Sequence, residues 1–161
     1  YGVDRDTLER AYLERAAAVH PDRVAAGSVG EKREAMEASS AVNEAYRVLR
    51  HPVRRAEYLV KLGGIDLDSS DPATGAPKMP QSFLMEMIER REGLEAAKSQ
   101  AKAGNEAALD DVRDAVESEL DDALDEAVGS LEAGDVSAAA RRLVVRRYLQ
   151  RLLDEIDDEE S

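Results

Sequence analysis

The chain has 161 residues, of which 35 are acidic and 22 basic, so it carries a net charge of −13 and has a pI near 4.6. Such a charge repels phosphate backbones and anionic lipid, and we therefore expect no nucleic acid and no membrane among its partners. With no cysteine, two histidines, no membrane-spanning apolar run and no signal peptide, the sequence predicts a cytoplasmic protein with no disulfide, metal, cofactor or catalytic residue of its own.

The first third of the chain predicts a helical hairpin followed by a short helix. Alanine, leucine, glutamate and arginine dominate and aromatic residues make up 4%, which indicates an all-α protein. A first helix is predicted from an N-cap at Asp6 to about Val19, where Pro21 ends it. A second is predicted over 31–49, with Met36, Val42, Tyr46 and Leu49 facing inward, and a third opens with Pro52 and closes at the Gly63-Gly64 pair.

The remainder predicts a linker and a three-helix bundle. Residues 63–80 are rich in Gly, Pro, Ser and Asp, as linkers are. Helices are predicted over 81–103, 106–131 and 136–156, and their short connections favour an antiparallel bundle. The middle helix carries a three- and four-residue core repeat of Leu109, Val112, Val116, Leu120, Leu124, Ala127 and Leu131. Twelve acidic residues between Asn105 and Asp135 should be partly neutralised by arginines of the last helix, and the tail after it should fray.

The tripeptide His20-Pro21-Asp22 stands where the first helix has to stop, and three interpretations are open. A catalytic dyad needs a nucleophile or a metal cluster, and the sequence supplies neither. A simple helix stop is the default for such a tripeptide seen alone. In the third interpretation, proline stiffens the corner while the histidine and the aspartate project from it for another protein to bind.

The helix predicted from Gln81 has more apolar residues than one packed face requires. At about 100° per residue, Phe83, Met87, Leu94, Ala97 and Ala101 share a face that suffices for a bundle. Leu84, Met85 and Ile88 lie off that face. They either pack against the first domain or form an exposed apolar patch for a partner, with Glu89, Arg91 and Glu92 as a polar rim.

Four stretches follow one another along the chain: "HPDR", "NEAYRVLRHPVRRAEYLVKLGG", "FLMEMIERREGLE" and, in the last helix, "RRYLQRL". In this order they resemble the HscB (Jac-type) J-domain co-chaperones of iron-sulfur cluster assembly. The resemblance implies an L-shaped, all-α molecule with a J domain over 1–62, a linker over 63–80 and a client-binding three-helix bundle over 81–161.

The resemblance also implies partners and contact residues. A DnaK/HscA-type chaperone would bind His20, Pro21 and Asp22, with Arg10, Arg15 and Arg23 as the cationic surround. An IscU-type iron-sulfur scaffold protein would bind the bundle through the residues that match the family motif, which are Leu84, Met85, Ile88, Glu89, Arg91, Glu92 and Tyr148. Tyr148 is also compatible with a core position whose hydroxyl lies at the edge. The implied function is a non-enzymatic co-chaperone that delivers the scaffold and stimulates ATP hydrolysis; a J protein with another client and a helical interaction scaffold are the alternatives.

Three departures from the family pattern concern the J domain. The short aromatic-containing helix expected ahead of "YGVD" is missing, and with no methionine at Tyr1 the chain is expected to be incomplete at its N-terminus. Arg15 stands where most J domains have leucine, and Leu13 is expected to compensate by packing on a flank. Val24 replaces an aromatic residue. Together these changes predict a J domain of low isolated stability.

Overall fold

The structure, a computed structural model, describes residues 1–158, and this part of the chain is all-helical, as the composition predicts. A short 3-10 helix, Pro21–Val24, lies between the first two α-helices. The α-helices are α1 (Arg5–Ala18), α2 (Val29–Arg50), α3 (Pro52–Leu62), α4 (Gln81–Lys102), α5 (Ala107–Glu132) and α6 (Val136–Asp157). None of these helices within residues 1–158 is long and apolar enough to cross a membrane.

Side-chain caps set the starts of the first two helices. The N-cap of α1 is Asp4, whose carboxylate accepts a hydrogen bond of 2.7 Å from the Thr7 amide, so the predicted N-cap at Asp6 is wrong by two residues. Helix α2 begins with a capping box in which Ser28 and Glu31 satisfy each other's amides, two residues earlier than predicted. Both helices start where a side chain accepts hydrogen bonds from first-turn backbone amides, which have no partner within the helix.

The chain divides into two compact units, Tyr1–Tyr58 and Leu59 onward. In the first, α1 and α2 form a hairpin joined by the stacked rings of Tyr12 and Tyr46, whose centroids are 4.1 Å apart. The Tyr12 hydroxyl donates to Asn43 Oδ1 at 2.9 Å. Met36 and Leu49 are exposed, so neither faces inward as predicted, and Leu13, which was expected to pack on a flank, is 59% exposed.

The second unit contains the predicted three-helix bundle. Helix α5 packs against both α4 and α6. The main core cluster consists of Leu94, Ala97, Leu109, Val116, Leu120, Leu149, Leu152 and Ile156. Val112, Leu124 and Leu131 of the predicted stripe are half-buried. The predicted neutralisation between α5 and α6 is present in the ion pair of Arg142 with Glu126, at 2.6 Å.

The segment predicted as a linker lies within the second unit and packs on α6. Leu67 is buried, and Arg147 donates to its carbonyl at 3.0 Å and to the Asp68 carboxylate at 2.9 Å. Helix α6 continues through Asp157, so the tail predicted to fray is helical that far, and its residues from 159 lie outside the described range.

Candidate protein-binding sites

The tripeptide predicted as a stiff corner does interrupt the helix. Helix α1 ends at Ala18, and His20 becomes the N-cap of the 3-10 helix, with Pro21 at its first position. The Arg23 amide donates to the His20 carbonyl at 3.0 Å, which closes the turn. The His20 side chain is 57% exposed and that of Asp22 89% exposed, so both project into solvent.

The contacts of His20 assign the role of each ring nitrogen. The Asp22 amide donates to His20 Nδ1 at 3.3 Å, so in this arrangement Nδ1 is an acceptor and the neutral ring carries its proton on Nε2. Nδ1 also lies 3.5 Å from Asp22 Oδ2. The corner therefore offers an Nε2–H donor beside a carboxylate acceptor.

The three arginines predicted to accompany this corner are Arg10, Arg15 and Arg23, and the Arg10 guanidinium donates to Thr7 Oγ1 at 3.4 Å. Arg10 lies in the middle of α1, Arg15 one turn before its end, and Arg23 inside the 3-10 helix. All three are exposed, and across residues 1–158 none of their guanidinium groups is in an ion pair. They remain available to carboxylates of a partner.

The surplus apolar residues of α4 form an exposed patch. Leu84 is 40% exposed, Met85 50% and Ile88 53%, whereas Leu94 and Ala97 on the other face of the helix are buried. Partial exposure of three large apolar side chains within five residues is typical of a binding surface.

Five of the seven predicted residues at this site line one groove between α4 and α6. The groove has a volume of about 390 Å³, and its predicted members are Leu84, Ile88, Arg91, Glu92 and Tyr148. Met85 and Glu89 are exposed on α4 but do not line it. The rings of Tyr148 and Phe83 pack in a T-shaped arrangement with centroids 5.4 Å apart, and Tyr148 is half-buried.

Arg91 is held by the bundle. Its guanidinium contacts both carboxylate oxygens of Glu155 on α6, with Nε at 3.1 Å from Oε2. This hydrogen bonding raises the pKa of Arg91 above its ordinary value. A bidentate pair of this kind fixes the orientation of both groups. Arg91 therefore braces the groove between two helices.

Sequence reasoning missed three lining residues, Met87, Arg151 and Leu152. Arg151 lies over the Tyr148 ring, with its guanidinium carbon 5.7 Å from the centroid. The position three residues after Tyr148 on a helix is the available signal, because such residues are neighbours. Periodicity predicts Met87 on the core face of α4, and Met87 both packs on the core and lines the groove.

Two family models match the chain, one in each unit. The model described as the DnaJ domain matches residues 2–58, which contain the corner. The model described as the HSCB C-terminal oligomerisation domain matches residues 79–157, which contain the groove.

Two sequence relatives are co-chaperone homologs. A Co-chaperone protein HscB homolog from Neisseria meningitidis is 41% identical over 105 residues, which are 65% of this chain and 58% of that protein, less than two thirds of its length. The homolog from Azoarcus sp. is 36% identical over 158 residues, 98% of this chain and 86% of the relative.

Two solved structures are similar over nearly the whole chain. Chaperone HscB from Vibrio cholerae has a TM-score of 0.85 at 30% identity and is matched over 99% of this chain and 90% of its own. Human co-chaperone protein HscB has a TM-score of 0.78 at 29% identity and is matched over 99% of this chain and 76% of its own. With a relative aligned over most of both chains and both domain models in order, this chain belongs to the HscB family of J-domain co-chaperones.

Proposed function

We propose that the chain is a co-chaperone of iron-sulfur cluster assembly that binds an IscU-type scaffold protein and delivers it to a DnaK/HscA-type chaperone. Residues 1–62 stimulate the chaperone's ATP hydrolysis, and residues 81–161 hold the scaffold. The observation that carries this proposal is the exposed His20-Pro21-Asp22 corner at the end of α1, in a chain of the HscB family.

At the chaperone site, the corner supplies a preformed pair of polar groups. The Asp22 carboxylate accepts a charge-assisted hydrogen bond from a cationic chaperone group, worth about 1.5–3 kcal/mol. His20 donates from Nε2. Because Pro21 and the turn hydrogen bond already fix the backbone, little conformational entropy is lost on binding.

At the client site, the apolar residues of the groove act as the energetic centre. Leu84 and Ile88 are exposed in the free chain, so covering them releases water from apolar surface. Tyr148 presents a half-buried aromatic wall, and aromatic residues are enriched among binding hot spots. Glu89, Arg91 and Glu92 lie at the polar rim, where they set specificity.

The chain contributes recognition and no chemistry of its own in this proposal. In this division of labour the scaffold's own side chains hold the iron-sulfur cluster and the chaperone hydrolyses the ATP, which is consistent with the absence of cysteine from the sequence. The co-chaperone acts by bringing the two together.

The chaperone proposal is tested with the two histidines, since each stands directly before a proline. His20→Gln should abolish stimulation of a purified DnaK/HscA-type ATPase measured by phosphate release. His51→Gln is the matched control, because His51 is also exposed and precedes Pro52, and it should leave stimulation intact. Stimulation that survives His20→Gln would contradict the J-domain mechanism, and no stimulation by the wild type would favour a plain interaction scaffold.

The client proposal is tested by calorimetric titration with an apo IscU-type scaffold. Leu84→Ala combined with Ile88→Ala should weaken binding by roughly tenfold or more, since hot-spot truncations cost more than about 1 kcal/mol each. Leu13→Ala, a truncation of an exposed leucine in the other unit, is the control. Unchanged affinity with an intact helical spectrum would remove these side chains from the site, and a J protein that stimulates ATPase without binding scaffold would have another client.

A further inference from the structure

A second groove adjoins the first on the other side of Tyr148. It has a volume of about 490 Å³ and lies between α6 and the 64–80 segment, with Leu67, Pro77 and Val144 among its apolar walls. Leu84, Tyr148 and Arg151 line both grooves, so the two are continuous.

The charged lining of this second groove is entirely basic, consisting of Lys78, Arg147 and Arg151. This is notable because residues 59–161 contain 25 acidic and 12 basic side chains. Arg147 is engaged by Leu67 and Asp68. Lys78 and Arg151 have no carboxylate partner anywhere in the described range, whereas Arg90, Arg91 and Arg142 are each paired with a glutamate.

The 64–80 wall of the groove is an ordered segment. The Asp66 amide donates to the Thr74 carbonyl at 2.7 Å, and Lys61 pairs with the Asp66 carboxylate at 2.7 Å. Gly75 lies so close to the Ser69 carbonyl that an added Cβ would be 2.4 Å from it, so only glycine fits there. The groove is therefore formed before any partner arrives.

We propose that the second groove extends the client site and binds a segment of the scaffold that places a carboxylate beside an apolar side chain. The carboxylate pairs with Arg151 and Lys78, and the apolar side chain packs against Leu67 and Tyr148. This inference rests on the proposed function and adds the chemical class of the client segment. Two unneutralised cations in an acidic domain match a negative charge, and unlike charges at a rim govern partner choice and association rate.

Charge reversals with a matched control test the inference in the full chain, by calorimetric titration with the same apo scaffold. Arg151→Glu and Lys78→Glu should each weaken binding by roughly tenfold, because each places a negative charge against the client carboxylate. Lys78 does not line the first groove, so its effect reports on the second groove alone. Arg141→Glu makes the same charge change on an exposed arginine of α6 outside both grooves and should alter affinity by less than about twofold.

A lysine scan of the scaffold's surface carboxylates then identifies the partner group. One Asp→Lys or Glu→Lys scaffold variant should bind wild type weakly and recover affinity with Lys78→Glu. Three results would each contradict binding at the second groove and leave the client proposal standing. They are equal losses of affinity in Lys78→Glu and Arg141→Glu, a loss of affinity in Arg151→Glu but not in Lys78→Glu, and the absence of any scaffold variant that restores binding to Lys78→Glu. If the wild type does not bind scaffold at all, the proposed function itself fails.

Discussion

The two units of the chain differ in charge and in how they are held together. Residues 1–58 contain ten acidic and ten basic side chains, so the whole net charge of −13 comes from residues 59–161. Helices α1 and α2, which are described in full, contain no buried residue. The bundle of α4, α5 and α6 has a continuous buried core.

This difference shows that the two proposed binding sites rest on different physics. The chaperone-facing corner is shaped by backbone hydrogen bonds, a proline and local caps, which need no core behind them. The client-facing groove is shaped by side chains of two helices, and these helices hold their positions only because the core is packed. Damage to the core should therefore affect the groove far more than the corner.

The largest expected effect is a core truncation in the bundle. Leu94→Ala should lower the free energy of unfolding by about 2–5 kcal/mol, because Leu94 is fully buried in the main cluster. Leu13→Ala, which removes the same atoms from an exposed site in α1, should change it by less than about 0.5 kcal/mol. Urea unfolding followed by circular dichroism measures both. Similar losses for the two variants would show that the hairpin has a core after all.

A smaller effect is expected from the aromatic pair that joins the hairpin. Tyr12→Ala removes the stack on Tyr46 and the hydrogen bond to Asn43, and it should destabilise α1 and α2 by roughly 1–2 kcal/mol. Tyr12→Phe keeps the stack and should cost less. Amide hydrogen exchange measures the loss helix by helix. Exchange that accelerates equally in α5 and α6 would contradict the view that the pair acts locally.

Much of the fold could be predicted because helix periodicity and breaker residues are local signals. Each predicted helix is present, and Gly104 and Gly134, where predicted helices end, have positive φ values of 97° and 80°. The start of α1 was misplaced because Asp4 and Asp6 are both acceptable caps, and only the Thr7 contact distinguishes them. Met36 and Leu49 are exposed although periodicity predicts that they face inward, because periodicity gives a face without saying whether anything covers it.

The sites, like the helices, could be predicted where the signal is local in sequence and not where it joins distant segments. The corner is one tripeptide, so the sequence already contains its geometry. The apolar patch on α4 was identifiable because its residues exceed what one packed face uses. The second groove was missed because it joins Lys78 and Leu67 from a segment read as linker to Arg151, more than seventy residues away. Only packing brings such residues together.

The smallest expected effect concerns the cap of α2 and its response to pH. Two hydrogen bonds donated by Ser28, from its amide and its hydroxyl, lower the pKa of Glu31 below its ordinary value. A lowered pKa in the folded state means that the cap stabilises α2 fully above the unfolded pKa near 4.5 and loses this contribution as pH falls through the folded pKa. NMR titration of the Glu31 carboxyl carbon should show a midpoint below 4.5. Ser28→Ala should raise that midpoint, because it removes the hydroxyl donor. In the wild type, the amide shifts in the first turn of α2 should change with pH at the same midpoint, and in Glu31→Gln this change should disappear. A wild-type midpoint at the unfolded value would show that the capping box does not persist in solution. The start of α2 would then lack the local cap on which a hairpin with no buried residue depends.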